Sequence, residues 1–414
     1  MYGVTLVTLV RKSKWYSSPC PRRGGGMGDL SVSSRARASA TSTGRPSLPN
    51  PPRIELAMPS PSEQEVLAAL ATIVDPDLGR DVVSLGMIKD LRISAGDVAF
   101  TFELTTPACP VRDRFKTQAE EAVSALRGVS RVDVKMTANV RPGFMRQASD
   151  MLPGVKQTVA VASGKGGVGK STVAVNLAAA LHQSGARVGL LDADIYGPSV
   201  PGLTGVREQP KVLDQKLVPL HAYGLSLMSM GFLGGADKAM IWRGPMVSRA
   251  IQQMMSDVRW GELDYLVIDL PPGTGDASLT IAQSVPLTGV VIVATPQDLA
   301  LDIAVKALQM FRSLNVTPLG LVENMSWYVC PECGHEHHVF GHGGAERAAQ
   351  RLGVPFLGGI PLHEDIRVES DGGAPIVVSR PDSPAAKAFR DLAEQVAART
   401  SIQSFRRLPV INVR

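Results

Sequence analysis

An apolar strand, a glycine-rich turn and a helix follow one another without a break in 158-TVAVASGKGGVGKSTVAVNLAAALHQ-183, and no other stretch of the chain restricts its fold so narrowly. The turn satisfies G-x-x-x-x-G-K-[ST] through Gly164, Gly169, Lys170 and Ser171. It follows a strand at 158–163 and opens a helix predicted over 170–183, which is the context this motif needs. Its glycines let successive backbone N–H groups converge on phosphate oxygens, and the helix N-terminus adds a favourable dipole. Lys170 is placed to reach terminal phosphates and Ser171 to ligate Mg²⁺. The expected nucleotide contacts are Gly164, Lys165, Gly166, Gly167, Val168, Gly169, Lys170, Ser171 and Thr172.

Further apolar strands at 187–194, 264–270, 289–295 and 317–324 alternate with helices, among them 299–314. Such alternation predicts an α/β fold, a mostly parallel sheet flanked by helices. Asp194 and Asp269 are expected at carboxyl ends of strands, where open parallel sheets bind their ligands. Both are candidates, with Ser171, for holding magnesium. The glycine-rich 269-DLPPGTGD-276 is suited to sensing a terminal phosphate.

Ahead of this unit, residues 58–137 read as a small α+β domain. A helix runs over 66–74 behind the capping-box pair Ser62 and Glu65, strands over 89–94 and 97–105, a helix over 112–126 and a strand over 131–136. A Pro/Gly-containing stretch at 138–157 reads as a linker, 158–400 as the nucleotide-binding domain and 401–414 as a tail. Residues 1–57 are rich in Arg, Ser, Pro and Gly and are expected to be disordered. They read as translated from an upstream start, with Met58 the natural beginning, or alternatively as an organelle transit peptide. They hold nine Arg/Lys and two Asp/Glu, a surplus of +7, so the net charge of +5 leaves −2 for the remainder. A near-neutral body without a basic, aromatic-interleaved stripe argues against a nucleic-acid partner. No apolar run approaches the roughly 18 residues of a membrane span, so no membrane partner and a cytoplasmic location are expected. Four cysteines in 414 residues are too sparse for a disulfide scaffold. Cys20 lies in the basic extension and receives no role.

The combination 165-KGGVGKST-172 resembles the deviant Walker A ATPases, the class of MinD, ParA and nitrogenase iron protein. The resemblance implies that Lys165 reaches across a homodimer to the partner's nucleotide, adding it to Lys170, Asp194 and Asp269 as catalytic residues. It also implies that Asn324 contacts a purine, and with no N-K-x-D guanine signature the nucleotide is expected to be ATP. Within that class, 192-DADIYGPSVP-201, 295-TPQDLALDIAVKAL-308 and 323-ENMSWYVCPECG-334 resemble the Mrp/ApbC family of iron–sulfur cluster carriers. The segments 84-SLGMIKDL-91 and 105-TTPACPVRD-113 resemble the MIP18-like (DUF59) domain that precedes the ATPase in bacterial Mrp proteins. The family implies delivery of clusters to apo iron–sulfur proteins.

Cys330 and Cys333 support that reading chemically, since thiolates are the usual cluster ligands and C-x-x-C puts two sulfurs on one face of a tight turn. A [4Fe–4S] cluster wants about four ligands, which two copies of the pair supply across a dimer two-fold. Zinc bound by Cys330, Cys333 and two of His335, His337 and His338 is the competing reading, although four ligands in so short a loop would be strained. Cys109, between two prolines, is read as exposed enough to be reactive, with an accessory transfer role or small packing filler as the alternatives. A MinD/ParA-like positioning ATPase is the alternative function. It needs a basic amphipathic tail, whereas the repeat Ala388, Leu392, Val396 reads better as a docked terminal helix. A nitrogenase-type reductase would separate its cluster cysteines widely in sequence, unlike this pair.

Overall fold

The computed structural model describes residues 60–143, 151–233, 244–273, 275–330 and 332–406. The expectations for residues 1–57 and for Cys20 lie outside them. Among the described residues, those up to Cys330 and from His335 onward form one compact unit, and 332–334 belong to a second.

The small α+β domain opens with α1 (Glu63–Leu70), where the capping box is present: the Ser62 amide donates to Glu65 Oε2 at 2.7 Å and the Glu65 amide to Ser62 Oγ at 3.3 Å. The helix stops at Leu70 instead of running to 74. Thr72 turns its hydroxyl onto the Ala69 carbonyl, and the β-branched Val74 enters β1 (Val74–Asp75), paired antiparallel with β2 (Arg80–Asp81). Strands β3 (Ile88–Ser94), β4 (Asp97–Leu104) and β5 (Arg131–Ala138) form a three-stranded sheet, antiparallel between β3 and β4 and parallel between β4 and β5. Alternation in β4 turns Val98, Phe100, Phe102 and Leu104 inward against α2 (Arg112–Ser124), with the Phe102 and Phe115 rings stacked at 5.3 Å.

The larger domain is built on an eight-stranded sheet. Its strands are β6 (Val155–Ser163), β7 (Val188–Asp192), β10 (Leu220–Ala222), β11 (Leu225–Ser229), β12 (Leu263–Asp269), β13 (Gly289–Ala294), β14 (Pro318–Asn324) and β17 (Phe356–Ile360). They lie in the order β10-β11-β7-β12-β6-β13-β14-β17, all parallel except edge strand β10. β7, β12 and β13 are buried throughout, as a sheet covered on both faces requires. One face carries α3 (Lys170–Gln183), α4 (Val200–Thr204), α11 (Ile376–Ser379) and α12 (Pro384–Arg406) around a core including Leu177, Phe389 and Val396. The other carries α6 (Gly244–Ser256), α7 (Asp276–Ser284), α8 (Asp298–Ser313) and α9 (Gly344–Leu352) around Ile251, Leu308 and Phe311. Between these lie the hairpin β8 (Val212–Leu213) and β9 (Lys216–Leu217), helix α5 (Met230–Leu233), the hairpin β15 (Tyr328–Val329) and β16 (Glu336–His337), and α10 (Glu364–Asp371).

Three boundaries differ from expectation. β6 begins at Val155, and Val140 and Leu152, in the stretch read as a linker, are buried at 4% and 1% exposure. β7 ends at Asp192, so Asp194 stands beyond the strand. α12 continues to Arg406 and docks as expected, with Ala385, Phe389, Leu392 and Val396 buried. Its last turn also reaches the small domain. Phe405 packs beside that domain's core with the Arg141 guanidinium 4.2 Å over its ring, and Gln157 donates to both Ser404 Oγ and the Arg141 carbonyl. A buried hydrogen bond of 2.9 Å between the Thr106 and Tyr265 hydroxyls joins the segment after β4 to β12. No described helix is long and apolar enough to cross a membrane.

Candidate functional site

The glycine-rich turn sits where β6 passes into α3, at the carboxyl ends of the parallel strands. Gly167 and Gly169 have φ of +78° and +79°, a region in which a side chain is strained. At Gly169 a Cβ would also run into the Asn324 amide, whose Nδ2 donates to the Val168 carbonyl at 2.8 Å. Above the turn lies a cleft of about 290 Å³ lined by Lys165, Gly166, Gly167, Gly169, Lys170, Ser171, Thr172 and Asp194. The loop after β12 closes over it, with the Gly273 amide donating to the Ser163 carbonyl at 2.9 Å. Gly164 is wedged under α8, where a Cβ would meet Ile303 backbone at 2.7 Å.

Lys170 and Asp269, at 6% and 0% side-chain exposure, form an ion pair at the floor of this cleft, and Lys170 Nζ also donates to Ser171 Oγ at 3.2 Å. Burial holds the Asp269 carboxyl above the ordinary carboxylate range against the pull of the Lys170 ammonium. Its Oδ2 is buried and has no hydrogen-bond partner among the described residues. Asp194 is likewise pushed up by burial, with Lys170 pulling the other way. The phosphate loop, the buried Lys170 and Asp194 therefore line one cleft, and Asp269, at the end of β12, is paired with that lysine.

The profile described as the NUBPL iron-transfer P-loop NTPase matches residues 154–397, and one described as an iron–sulfur cluster assembly protein matches 63–135. The chain belongs to the iron-transfer P-loop NTPases. It is 48% identical over 343 residues to an iron–sulfur cluster carrier protein of Synechocystis, covering 81% of this chain and 97% of that one. It is 44% identical over 372 residues to a chloroplastic Fe–S cluster assembly factor of Arabidopsis thaliana, covering 88% of this chain and 67% of the relative. Among solved structures, a nucleotide-binding protein of Archaeoglobus fulgidus in complex with ADP superposes with a TM-score of 0.51 at 38% identity, over 59% of this chain and 95% of that one.

In this P-loop NTPase the sequence reading missed Asp192. It is 1% exposed and lies beside Asp269 in the ladder between β7 and β12. Burial, and next the Asp269 charge, push its carboxyl up to about 7. Its position as the first acid of 192-DAD-194 was visible, but the apolar run into it carries no mark of where the ladder stops.

Cys330 is not among the residues that line the cleft. From Asn324 the chain leaves β14 through Met325, at φ +58°, and runs beside β17, with the Ser326 amide on the Ile360 carbonyl and the Leu362 amide on the Trp327 carbonyl. It then enters the β15–β16 hairpin, closed by the Cys330 amide donating to the His335 carbonyl at 2.9 Å. Cys330 is half-buried and Cys333 exposed. The rings of His335 and His337 meet edge to face at 4.6 Å, and His338 packs on His342 at 4.1 Å, all on the surface. Among the described residues no three or more His, Cys, Asp or Glu side chains group as a metal site.

Cys109 corrects its reading as a reactive thiol. It is packed against the small domain's core, and burial pushes its thiol up to about 11, with Asp75, Asp77 and Glu394 adding unfavourable charge. The flanking prolines suggested an open turn. The burial comes from tertiary neighbours far away in sequence.

Proposed function

We propose that the chain is an ATP-dependent carrier of iron–sulfur clusters, working as a homodimer that delivers [4Fe–4S] cargo to apoproteins. The observation that carries the nucleotide half is the Lys170–Asp269 pair on the floor of the phosphate-loop cleft. A terminal phosphate arriving there competes for Lys170 and frees Asp269. Ser171 Oγ, Asp194 and Asp269 then offer the hard oxygen donors that Mg²⁺ prefers, and the unpartnered Asp269 Oδ2 fits that use. When bound, the metal neutralises charge on the phosphate oxygens. Lys165 reaches the partner subunit's nucleotide, Asn324 contacts adenine, and hydrolysis is slow and regulatory.

For the cargo, membership of an iron-transfer family and the exposed hairpin thiol Cys333 support a cluster shared between two subunits. Each chain offers Cys330 and Cys333, half of the roughly four ligands a [4Fe–4S] cluster takes. An exposed cluster held by few contacts is suited to delivery. The chloroplastic name of the plant relative keeps an organelle location beside the cytoplasmic one.

Anaerobic reconstitution tests the cargo. We expect about four irons and four sulfides per dimer, lost in Cys330→Ala and in Cys333→Ala. Colourless protein with about one zinc per chain would establish the zinc reading instead. A Cys330→Ala protein retaining a full cluster would refute the shared site.

A further inference from the structure

Asp192 uses both carboxylate oxygens, and it uses them on different parts of the chain. Oδ1 accepts from the Asp194 amide at 3.1 Å. Oδ2 accepts from the Val200 amide, the first of α4, at 3.1 Å and from the Ser229 hydroxyl at 3.0 Å. Ser229 Oγ in turn accepts from the Gly231 amide inside α5 at 3.0 Å. The backbone amides can only donate, and Ser229, whose Oγ accepts from Gly231, gives its one proton to Asp192 while that carboxyl is ionised. Asp192 and Ser229 are 1% and 0% exposed, so a bond lost between them is not replaced by solvent.

Two of these contacts belong to the rim of the cleft. Asp194 lines it, and so do Ser199 and Leu203, on either side of Val200. The third leads away from it. α5 follows Ser229 directly, and its Met230 and Leu233 line an apolar groove with Leu217, Met246, Ala250 and Met254. A shift of segment 194–203 on nucleotide arrival pulls on the same carboxylate that holds the end of β11.

We propose that Asp192 is a positioning residue which, through Ser229, ties the conformation of α5 and its side of the groove to the occupancy of the nucleotide cleft. This rests on the reading of that cleft as a nucleotide site. A purely structural Asp192 would only fasten the start of α4. Ser229→Ala separates the two, since it removes the tie to α5 and leaves the Asp194 and Val200 amides on Asp192.

The test is amide hydrogen exchange of the full chain, with and without saturating Mg·ADP, read at peptides covering 230–233, alongside the ADP dissociation constant and the melting temperature. Wild type should bind ADP and change its exchange at 230–233 several-fold. Ser229→Ala should bind ADP within about 3-fold of wild type, keep the ADP-dependent change at 194–203 and lose the change at 230–233. Ser229→Thr, which keeps the hydroxyl, should restore it. Persistence of the change at 230–233 in Ser229→Ala, or its absence in a wild type that does bind ADP, overturns this inference alone. A wild type that binds no ADP overturns the nucleotide reading as well.

Discussion

On the proposed reading, Lys170 has two tasks that conflict in the absence of nucleotide. It must stay charged in a buried place, and it must be free to leave for a phosphate. Pairing with Asp269 meets the first at the cost of a contact that has to open. Removing one partner of such a pair strands the other, which typically costs about 3–5 kcal/mol, less where a carboxyl escapes by taking up a proton. Lys170→Ala should therefore melt below wild type without nucleotide, and Lys170→Ala/Asp269→Asn should regain part of that loss. Calorimetry of the three proteins checks it. Turnover of ATP by Lys170→Ala should fall by at least about 100-fold, because a buried cation positioned for transferring phosphate is lost. Cys109 gives a second residue-scale expectation. A thiol raised from 9.0 to about 11 should, at pH 8, alkylate on the order of 100-fold more slowly than an ordinary cysteine, as followed by mass mapping. The sign for stability follows. Folding holds the protonated thiol, so its contribution is complete below pH 9 and is lost as pH climbs toward 11.

Among the elements, α12 departs most from a freely available tail. A positioning ATPase that uses a terminal amphipathic helix needs that helix's apolar face exposed. Here Phe389, Leu392 and Val396 are in the core, and the final turn is spent on the domain junction. Phe405→Ala should lower the melting temperature by an amount equivalent to about 1–2 kcal/mol, since the ring is only half-buried. It should do so without changing ADP affinity, which titration calorimetry would read. Helix α3 and the five strands β6, β7, β12, β13 and β14 were legible in the sequence because periodicity and long apolar runs mark them locally, whereas β10, β11 and β17 were not read from it. The phosphate loop was legible for a stronger reason, as its spacing, its glycines and its lysine answer one ligand. What was not legible is what tertiary neighbours decide. Asp192 looks like one more strand residue until β12 and β11 are laid beside it, and Cys109 looks open until its buried surroundings are known. The end of β7 was misjudged because the Ala193 amide still bonds the Asp269 carbonyl, so the ladder fades instead of stopping.

At the scale of the whole molecule, the parallel sheet brings the acids Asp194 and Asp269 to one end of the domain together with the partly exposed Lys165. If Lys165 serves the partner subunit, Lys165→Ala should still bind ATP as a monomer but fail to dimerise with it. Light scattering with and without ATP would distinguish this from wild type, and an unchanged ATP-dependent dimer would remove Lys165 from the interface.

The route from Asn324 to Cys330 has a mechanical consequence. Six residues of main chain span at most about 20 Å, and this stretch is held at two points, the Ser326 amide on the Ile360 carbonyl of β17 and the Trp327 carbonyl under the Leu362 amide just beyond that strand. At one end Asn324 grips the carbonyl of Val168 in the phosphate loop, and at the other is a thiol. The left-handed kink at Met325 fixes the angle at which the stretch departs. The root of the hairpin is thereby pinned to the sheet, so Cys330 is carried at a place that the frame of the domain sets and not the hairpin alone.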